Sequence, residues 1–173
     1  MTRLAFAAAL ALLALPVRAQ TDASLVPDDA PEWRSMSDAV EAARAADRLL
    51  VVHAYTAWCG WCARMDRDTY TDDTVQAYLA AHFEATRLDL ESREVVPFFE
   101  YTASMAELGD ALQVTGTPTT VFVDSDGTLI TKLPGYNDPE TFLYALRYVH
   151  ERAYEGVSFA EFVQAQQPTE SGG

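Results

Sequence analysis

The sequence is short of cysteine and of basic residues, and each shortage excludes a class of protein. Only two cysteines occur among 173 residues, which excludes a framework of several disulfides and a four-cysteine zinc site. Lysine and arginine together number 12 against 26 acidic residues, and the net charge is −14. A surface this acidic argues against nucleic acid and anionic membranes. We therefore expect no nucleic-acid partner.

Long apolar runs are also scarce, and the longest one lies near the amino terminus. Arg3 precedes an apolar run over 4–15, and a small-x-small site ends at Ala19, which is the pattern of a secretory signal peptide. A membrane anchor is the alternative, but the run is too short to span a bilayer. The expected division is a signal peptide over 1–19, a linker over 20–31, one domain over 32–167 and a flexible tail over 168–173. We expect a periplasmic or otherwise exported protein.

The two cysteines, Cys59 and Cys62, stand two residues apart, each directly after a tryptophan. The apolar run from Leu49 to Tyr55 before them is typical of a buried strand, and the arginine-rich segment after them can continue as a helix. A sulfur at the start of a helix is stabilised as a thiolate by the macrodipole and by free N–H groups. Cys59 is therefore predicted to attack disulfides, and Cys62, one turn on, to displace the mixed disulfide.

Neither a metal site nor a purely structural crosslink accounts well for this pair. Zinc usually needs four ligands, but the chain has no third cysteine, and His53, His82 and His150 have no ligand spacing. A disulfide between residues so close in sequence removes little loop entropy from the unfolded chain. We therefore expect no metal and no cofactor, and a cysteine pair that exchanges electrons.

Two marks make the chain resemble the thioredoxin superfamily. One is the Trp-Cys-Gly-x-Cys motif that ends at Cys62, and the other is Thr117-Pro118 directly before an apolar strand. The resemblance covers the chain from Trp33 to about Tyr154. It extends to periplasmic thioredoxin-like reductases, which include the carboxy-terminal domain of DsbD and thioredoxins associated with sulfur oxidation. The resemblance implies an α/β fold, the thioredoxin fold, with a central mixed β-sheet flanked by helices.

The connection over 91–114 is longer than the corresponding connection in the simplest thioredoxins. It contains a run of aromatic and branched residues followed by Met105, Leu108 and Leu112. Apolar residues at such spacing are typical of helices that pack on a core. We therefore predict a helical insertion between the second strand and the strand that follows the cis-proline.

The resemblance also implies roles for residues around the cysteines. Thr117 and Pro118 match the family's cis-proline loop, whose backbone pairs with an incoming substrate strand. Trp61 stands where common thioredoxins carry proline, which leaves the direction of electron flow open. The residues implied to contact substrate are Trp58, Gly60, Trp61, Thr117, Pro118 and Gly135. The residues expected to surround the site are Tyr55, Arg64, Met65 and Tyr136.

His53 stands six residues before Cys59, where thioredoxins commonly carry a buried aspartate. That aspartate helps to move a proton to or from the second thiol. An imidazole titrates near neutrality and could carry the same proton. The alternative is a core histidine that is hydrogen-bonded to a neighbouring group, and both interpretations stay open.

Together these features predict an exported protein-disulfide oxidoreductase that acts as a reductase through Cys59 and Cys62. Its expected partners are protein disulfide substrates and a membrane-bound electron-transfer protein, and the chain itself is expected to be a monomer. One alternative is a thioredoxin scaffold that binds or chaperones a client. Another is a copper-handling protein with incidental redox activity.

Overall fold

In the computed structural model of the protein, residues 31–167 are described, and four strands form a central sheet with helices on both faces. The helices are α1 (Met36–Ala46), α2 (Gly60–Asp68), α3 (Asp73–His82), α4 (Met105–Ala111), α5 (Pro139–His150) and α6 (Phe159–Gln166). The strands are β1 (Leu49–Tyr55), β2 (Phe83–Asp89), β3 (Val95–Phe98), β4 (Tyr101–Ser104), β5 (Thr119–Val123) and β6 (Leu129–Pro134). The predicted signal peptide and the predicted tail lie outside the described residues.

The central sheet is mixed, with the strand order β2-β1-β5-β6. Strand β1 pairs in parallel with β2, and antiparallel with β5, which in turn pairs antiparallel with β6. A strand covered by helices on both faces has a continuous apolar sequence, which is why the run Leu49–Tyr55 becomes the central strand. The predicted α/β fold with a central mixed sheet flanked by helices is thereby confirmed. The carboxyl end of β1 leads directly to the cysteines.

Alternate residues of β1 contribute to two hydrophobic cores on opposite faces of the sheet. Leu50 and Val52 belong to the core that includes α1 and α4. Val51 belongs to the core that α2, α3 and α5 cover. Because side chains alternate along a strand, His53 lies on the same face as Val51. Its ring contacts Tyr70, which belongs to that second core.

The connection over 91–114 differs from the prediction in its first half. Instead of a helix, that half forms the antiparallel hairpin β3–β4, and only the second half is helical, as α4. Val96 and Phe98 are buried while their neighbours in β3 are exposed, which is the period-two pattern of a half-buried strand. Ser104 and Glu107 form a capping box that begins α4. The connection therefore forms three elements, the two strands of the hairpin up to Ser104 and the helix α4 after it.

None of the helices within residues 31–167 combines the length and the apolar character needed to cross a membrane.

Candidate active site

Cys59 and Cys62 form a disulfide at the amino terminus of α2, with their Cα atoms 5.2 Å apart. Cys59 is the N-cap residue, and its sulfur accepts a hydrogen bond from the backbone N–H of Cys62 at 3.0 Å. This position favours an anionic sulfur because free N–H groups and the helix dipole face it. Cys59 is 7% exposed and Cys62 is 2% exposed. An incoming disulfide would therefore reach Cys59 first.

The loop before β5 lies beside the cysteines, and its Thr117–Pro118 peptide bond is cis. Thr56 connects the two segments, because its carbonyl accepts from the Cys59 N–H at 3.1 Å and its hydroxyl lies 3.5 Å from that of Thr117. The Pro118 carbonyl accepts from the Gly135 N–H at 2.8 Å. Gly135 has φ +79° and no atom near the position of a Cβ, so this loop leaves open space beside the proline.

Two tryptophans flank the disulfide and remain largely exposed. Trp58 is 76% exposed, and its indole N–H donates to Glu91 at 3.1 Å. Glu91 also accepts from the backbone N–H of Ala57 at 3.0 Å. Trp61 is 56% exposed, and its ring lies 5.6 Å from that of Tyr136. The disulfide therefore lies within an aromatic surface. Exposed aromatic rings of this kind are good anchors at protein interfaces.

His53 is fully buried and hydrogen-bonded through one side of its ring. Its Nδ1 lies 3.1 Å from the hydroxyl of Tyr70, which lies 3.3 Å from the hydroxyl of Thr120. Burial, with a smaller contribution from the charge of Arg87, lowers the pKa of His53 from 6.5 to about 3. The imidazole is therefore neutral at neutral pH. Burial also raises the pKa of Tyr70, so that the phenol keeps its proton.

A buried carboxylate that the sequence analysis missed lies next to His53. Asp66 belongs to the buried face of α2 together with Cys62. Its Oδ2 accepts from a terminal nitrogen of Arg87 at 2.9 Å, and its Oδ1 lies 3.9 Å from Nε2 of His53. That Oδ1 has no hydrogen-bond partner among the described residues. Burial raises the pKa of Asp66 above 3.8, against the opposing effect of Arg87.

The position of Asp66 on the face of Cys62 could be predicted from the sequence, but its partner could not. A residue four positions after Cys62 lies on the same face of a helix, one turn away. The partner of Asp66 follows from strand pairing, because Arg87 of β2 stands opposite His53 of β1. The guanidinium of Arg87 lies over the ring of Tyr55, at 4.1 Å from its centroid. Cys62, His53, Asp66 and Arg87 thus come from three adjacent elements.

The other predicted neighbours of the site fall into two groups. Met65 is fully buried in the second core, and Tyr55 is half-buried under Arg87. Arg64 and Tyr136 lie at the surface beside Trp61. Within residues 31–167, no cluster of three or more histidine, cysteine or acidic side chains could hold a metal ion.

The burial of neutral His53 predicts a pH dependence of stability. Between pH 6.5 and about 3 the unfolded imidazole binds a proton that the folded one does not. The free energy of unfolding should therefore fall as the pH drops below 6.5, by up to about 1.4 kcal/mol per pH unit from this one group. His53→Gln, which cannot titrate, should show a flatter profile. Urea unfolding at a series of pH values measures both.

Asp66 and His82 titrate in both proteins, so the difference between the two profiles reports on His53. The raised pKa of Asp66 acts in the opposite sense, because the folded state then holds a proton just above pH 3.8 that the unfolded state releases. Parallel profiles for the wild type and His53→Gln would show that the imidazole is not held neutral.

A disulfide at a helix N-terminus, connected through Thr56 to a cis-proline loop and set on a mixed sheet, defines a protein of the thioredoxin class. The chain belongs to the thioredoxin-like domain family, whose model matches residues 36–150.

Relatives and solved structures agree with this membership. The chain is 30% identical over 117 residues to the thiol:disulfide interchange protein DsbD of Ralstonia nicotianae, an alignment that covers 65% of this chain and 17% of DsbD. It is 22% identical to the disulfide bond reductase DsbH of Chlamydia pneumoniae, over 59% of this chain and 61% of DsbH. The solution structure of a thioredoxin from Thermus thermophilus superposes with a TM-score of 0.57 and 28% identity, covering 69% of this chain and 87% of that one. The chain spans less than a fifth of the length of this DsbD and about three fifths of that of DsbH.

Proposed function

We propose that the chain is an exported thiol–disulfide oxidoreductase that reduces protein disulfides. The observation that carries this proposal is the sulfur pair at the start of α2, in which Cys59 is the N-cap residue and the more exposed of the two cysteines, at 7% against 2%. The names of two relatives, an interchange protein and a disulfide bond reductase, support the same chemistry. The exposed rings of Trp58 and Trp61 would contact a protein substrate.

The reaction would start from the reduced chain. The Cys59 thiolate attacks one sulfur of the substrate disulfide, that S–S bond breaks, and the substrate thiolate that leaves takes up a proton. The Cys62 thiolate then attacks the Cys59 sulfur of the mixed disulfide and expels the second substrate thiolate. Two electrons pass to the substrate, and the chain keeps a Cys59–Cys62 disulfide. A dithiol on a membrane-bound electron-transfer partner would reduce it again by the same exchange.

Asp66 would accept the proton that Cys62 must lose before it attacks. The carboxylate lies one turn from Cys62 on the same face of α2, and one of its oxygens has no partner among the described residues. Its raised pKa makes it a stronger base than an exposed aspartate. Because the pKa of His53 is about 3, its imidazole is neutral at neutral pH, and its Nε2 lies 3.9 Å from the carboxylate without a hydrogen bond to it. This assignment moves the proton-transfer role from His53 to Asp66.

The reduction potential of the cysteine pair tests the proposed direction of electron flow. The purified protein is equilibrated with glutathione redox buffers, and the fluorescence of its tryptophans reports the fraction oxidised. A reductase should have a potential near that of thioredoxin, about −270 mV. A potential near that of DsbA, about −120 mV, would instead indicate an oxidase.

The proposal for the two ends of the chain depends on the sequence alone. We propose that residues 1–19 are removed on export to the periplasm, that 20–31 are a linker and that 168–173 are a tail. The basic residue, apolar run and small-x-small site at the amino terminus support export. We propose that the domain over 32–167 works without a cofactor, because thiol exchange needs only the two sulfurs. We also propose that this domain is a monomer.

A further inference from the structure

We propose that Trp61, Arg64, Arg67 and Tyr136, named here the guanidinium–aromatic cluster, bind an acidic side chain next to the disulfide of the substrate. This inference rests on the proposed function, because it names the class of protein segment that the same site would reduce. A segment with glutamate or aspartate beside its cystine would be preferred over a neutral or basic one.

Arg64 packs against two neighbouring aromatic rings at the surface. Its Cζ lies 5.4 Å from the ring centroid of Trp61 and 4.9 Å from that of Tyr136. The two rings are themselves 5.6 Å apart, and a guanidinium that packs on aromatic rings hydrogen-bonds through its edge, where the N–H groups point. The Nε of Arg64 donates to Asp68 at 3.0 Å. The same planar edge forms paired hydrogen bonds with carboxylates.

Arg67 adds a second cation to the same hollow. It donates to the carbonyl of Ala63 at 3.0 Å, and among residues 31–167 it forms no ion pair. With Gly60, Trp61 and Arg64 it lines a depression of about 350 Å³ that has no acidic residue in its wall. The chain as a whole carries a net charge of −14. Arg64 is paired with Asp68 at 3.0 Å, so Arg67 supplies the positive charge of this hollow that is not paired among residues 31–167, and charge complementarity favours a carboxylate there.

The opposite flank of the disulfide carries a negative charge. Glu91 follows β2 and holds Trp58, whereas Tyr136 follows β6. The strand order β2-β1-β5-β6 puts these two strands on opposite sides of β1. An acidic side chain would therefore be attracted on the Trp61 side and repelled on the Trp58 side. The site can in this way select both the charge of a substrate segment and its orientation.

Three peptides with one sequence and one internal disulfide test this inference. They carry glutamate, glutamine or lysine beside the reactive cystine. Single-turnover oxidation of the reduced protein, followed by tryptophan fluorescence, gives a rate constant for each peptide. The glutamate peptide should react about fivefold faster than the glutamine peptide at low ionic strength, and this ratio should shrink in high salt.

The double variant Arg64→Gln/Arg67→Gln should bring the ratio close to one. Both rates in this ratio are measured with the same protein, so a change in thiol reactivity that the substitutions cause affects both rates equally and leaves the ratio unchanged. Arg44→Gln is the matched control, since Arg44 pairs with Glu100 on another part of the surface, and it should keep the wild-type ratio.

Two results would overturn the acidic subsite while the redox function stands. One is equal rates for all three peptides or a faster lysine peptide, and the other is a ratio that survives in the double variant. If neither the peptides nor bis(2-hydroxyethyl) disulfide oxidise the reduced protein, the proposed function itself fails, and the subsite fails with it.

Discussion

Cys59→Ser is expected to lower the rate of insulin reduction by about a thousandfold or more, to the rate of dithiothreitol alone. Serine keeps the shape of the side chain and can still cap α2, but its hydroxyl is not ionised at neutral pH and cannot form a mixed disulfide. Cys62 cannot take over the attack, because it is 2% exposed and lies within the first turn of the helix. The turbidity of precipitating insulin B chain measures the rate.

Cys62→Ser is the matched control for this loss. It keeps the attacking thiol, so the first exchange should proceed and then stop at a mixed disulfide between Cys59 and the substrate. Mass spectrometry under non-reducing conditions should detect that adduct with Cys62→Ser and not with Cys59→Ser. Neither variant can form the Cys59–Cys62 disulfide, so both are compared with the reduced wild type, which also lacks that disulfide. A wild-type rate that is no higher than that of dithiothreitol alone, and that Cys59→Ser leaves unchanged, would favour a client-binding module in which the disulfide is incidental.

The sequence was sufficient for the parts of the fold that are determined locally. The apolar run of β1, which only His53 interrupts, predicted a central strand with the observed bounds Leu49–Tyr55, because a strand covered on both faces has a mostly apolar sequence. The arginine-rich segment after the cysteines then predicted a helix that starts at the active site, and α2 begins at Gly60. Both inferences depend on residues close together in the chain.

Two features could not be read from local patterns alone. In the 91–114 connection, apolar residues fit both helical and strand spacing over a short run, and pairing between β3 and β4 decided between them. The charge network beneath the cysteines depends on the β1–β2 register, which sets Arg87 opposite His53. Once Arg87 is there, a carboxylate at position 66 has a partner. Without that register, nothing distinguishes Asp66 from the other polar residues of α2.

Asp66→Asn is expected to slow the resolution of the mixed disulfide by about a hundredfold, within the range that proton transfer contributes to catalysis. Asparagine has nearly the same shape and can still accept a hydrogen bond from Arg87, but it cannot take the proton of Cys62. The first attack by Cys59 should change much less, because that sulfur caps the amino terminus of α2, which stabilises its thiolate without help from Asp66. Rapid mixing of the reduced protein with a chromophoric disulfide separates the two steps.

The pH profile of the resolution step adds a readout that a purely structural role for Asp66 would not change. In the wild type the rate should rise with pH as the carboxyl group ionises, at a pH above 3.8 because burial raises the pKa of Asp66. In Asp66→Asn that rise should disappear. Asp73→Asn, an exposed change in the first turn of α3, should leave both steps and the profile unchanged. Equal slowing of attack and resolution by Asp66→Asn, or an unaltered profile, would exclude Asp66 as the acceptor of the Cys62 proton.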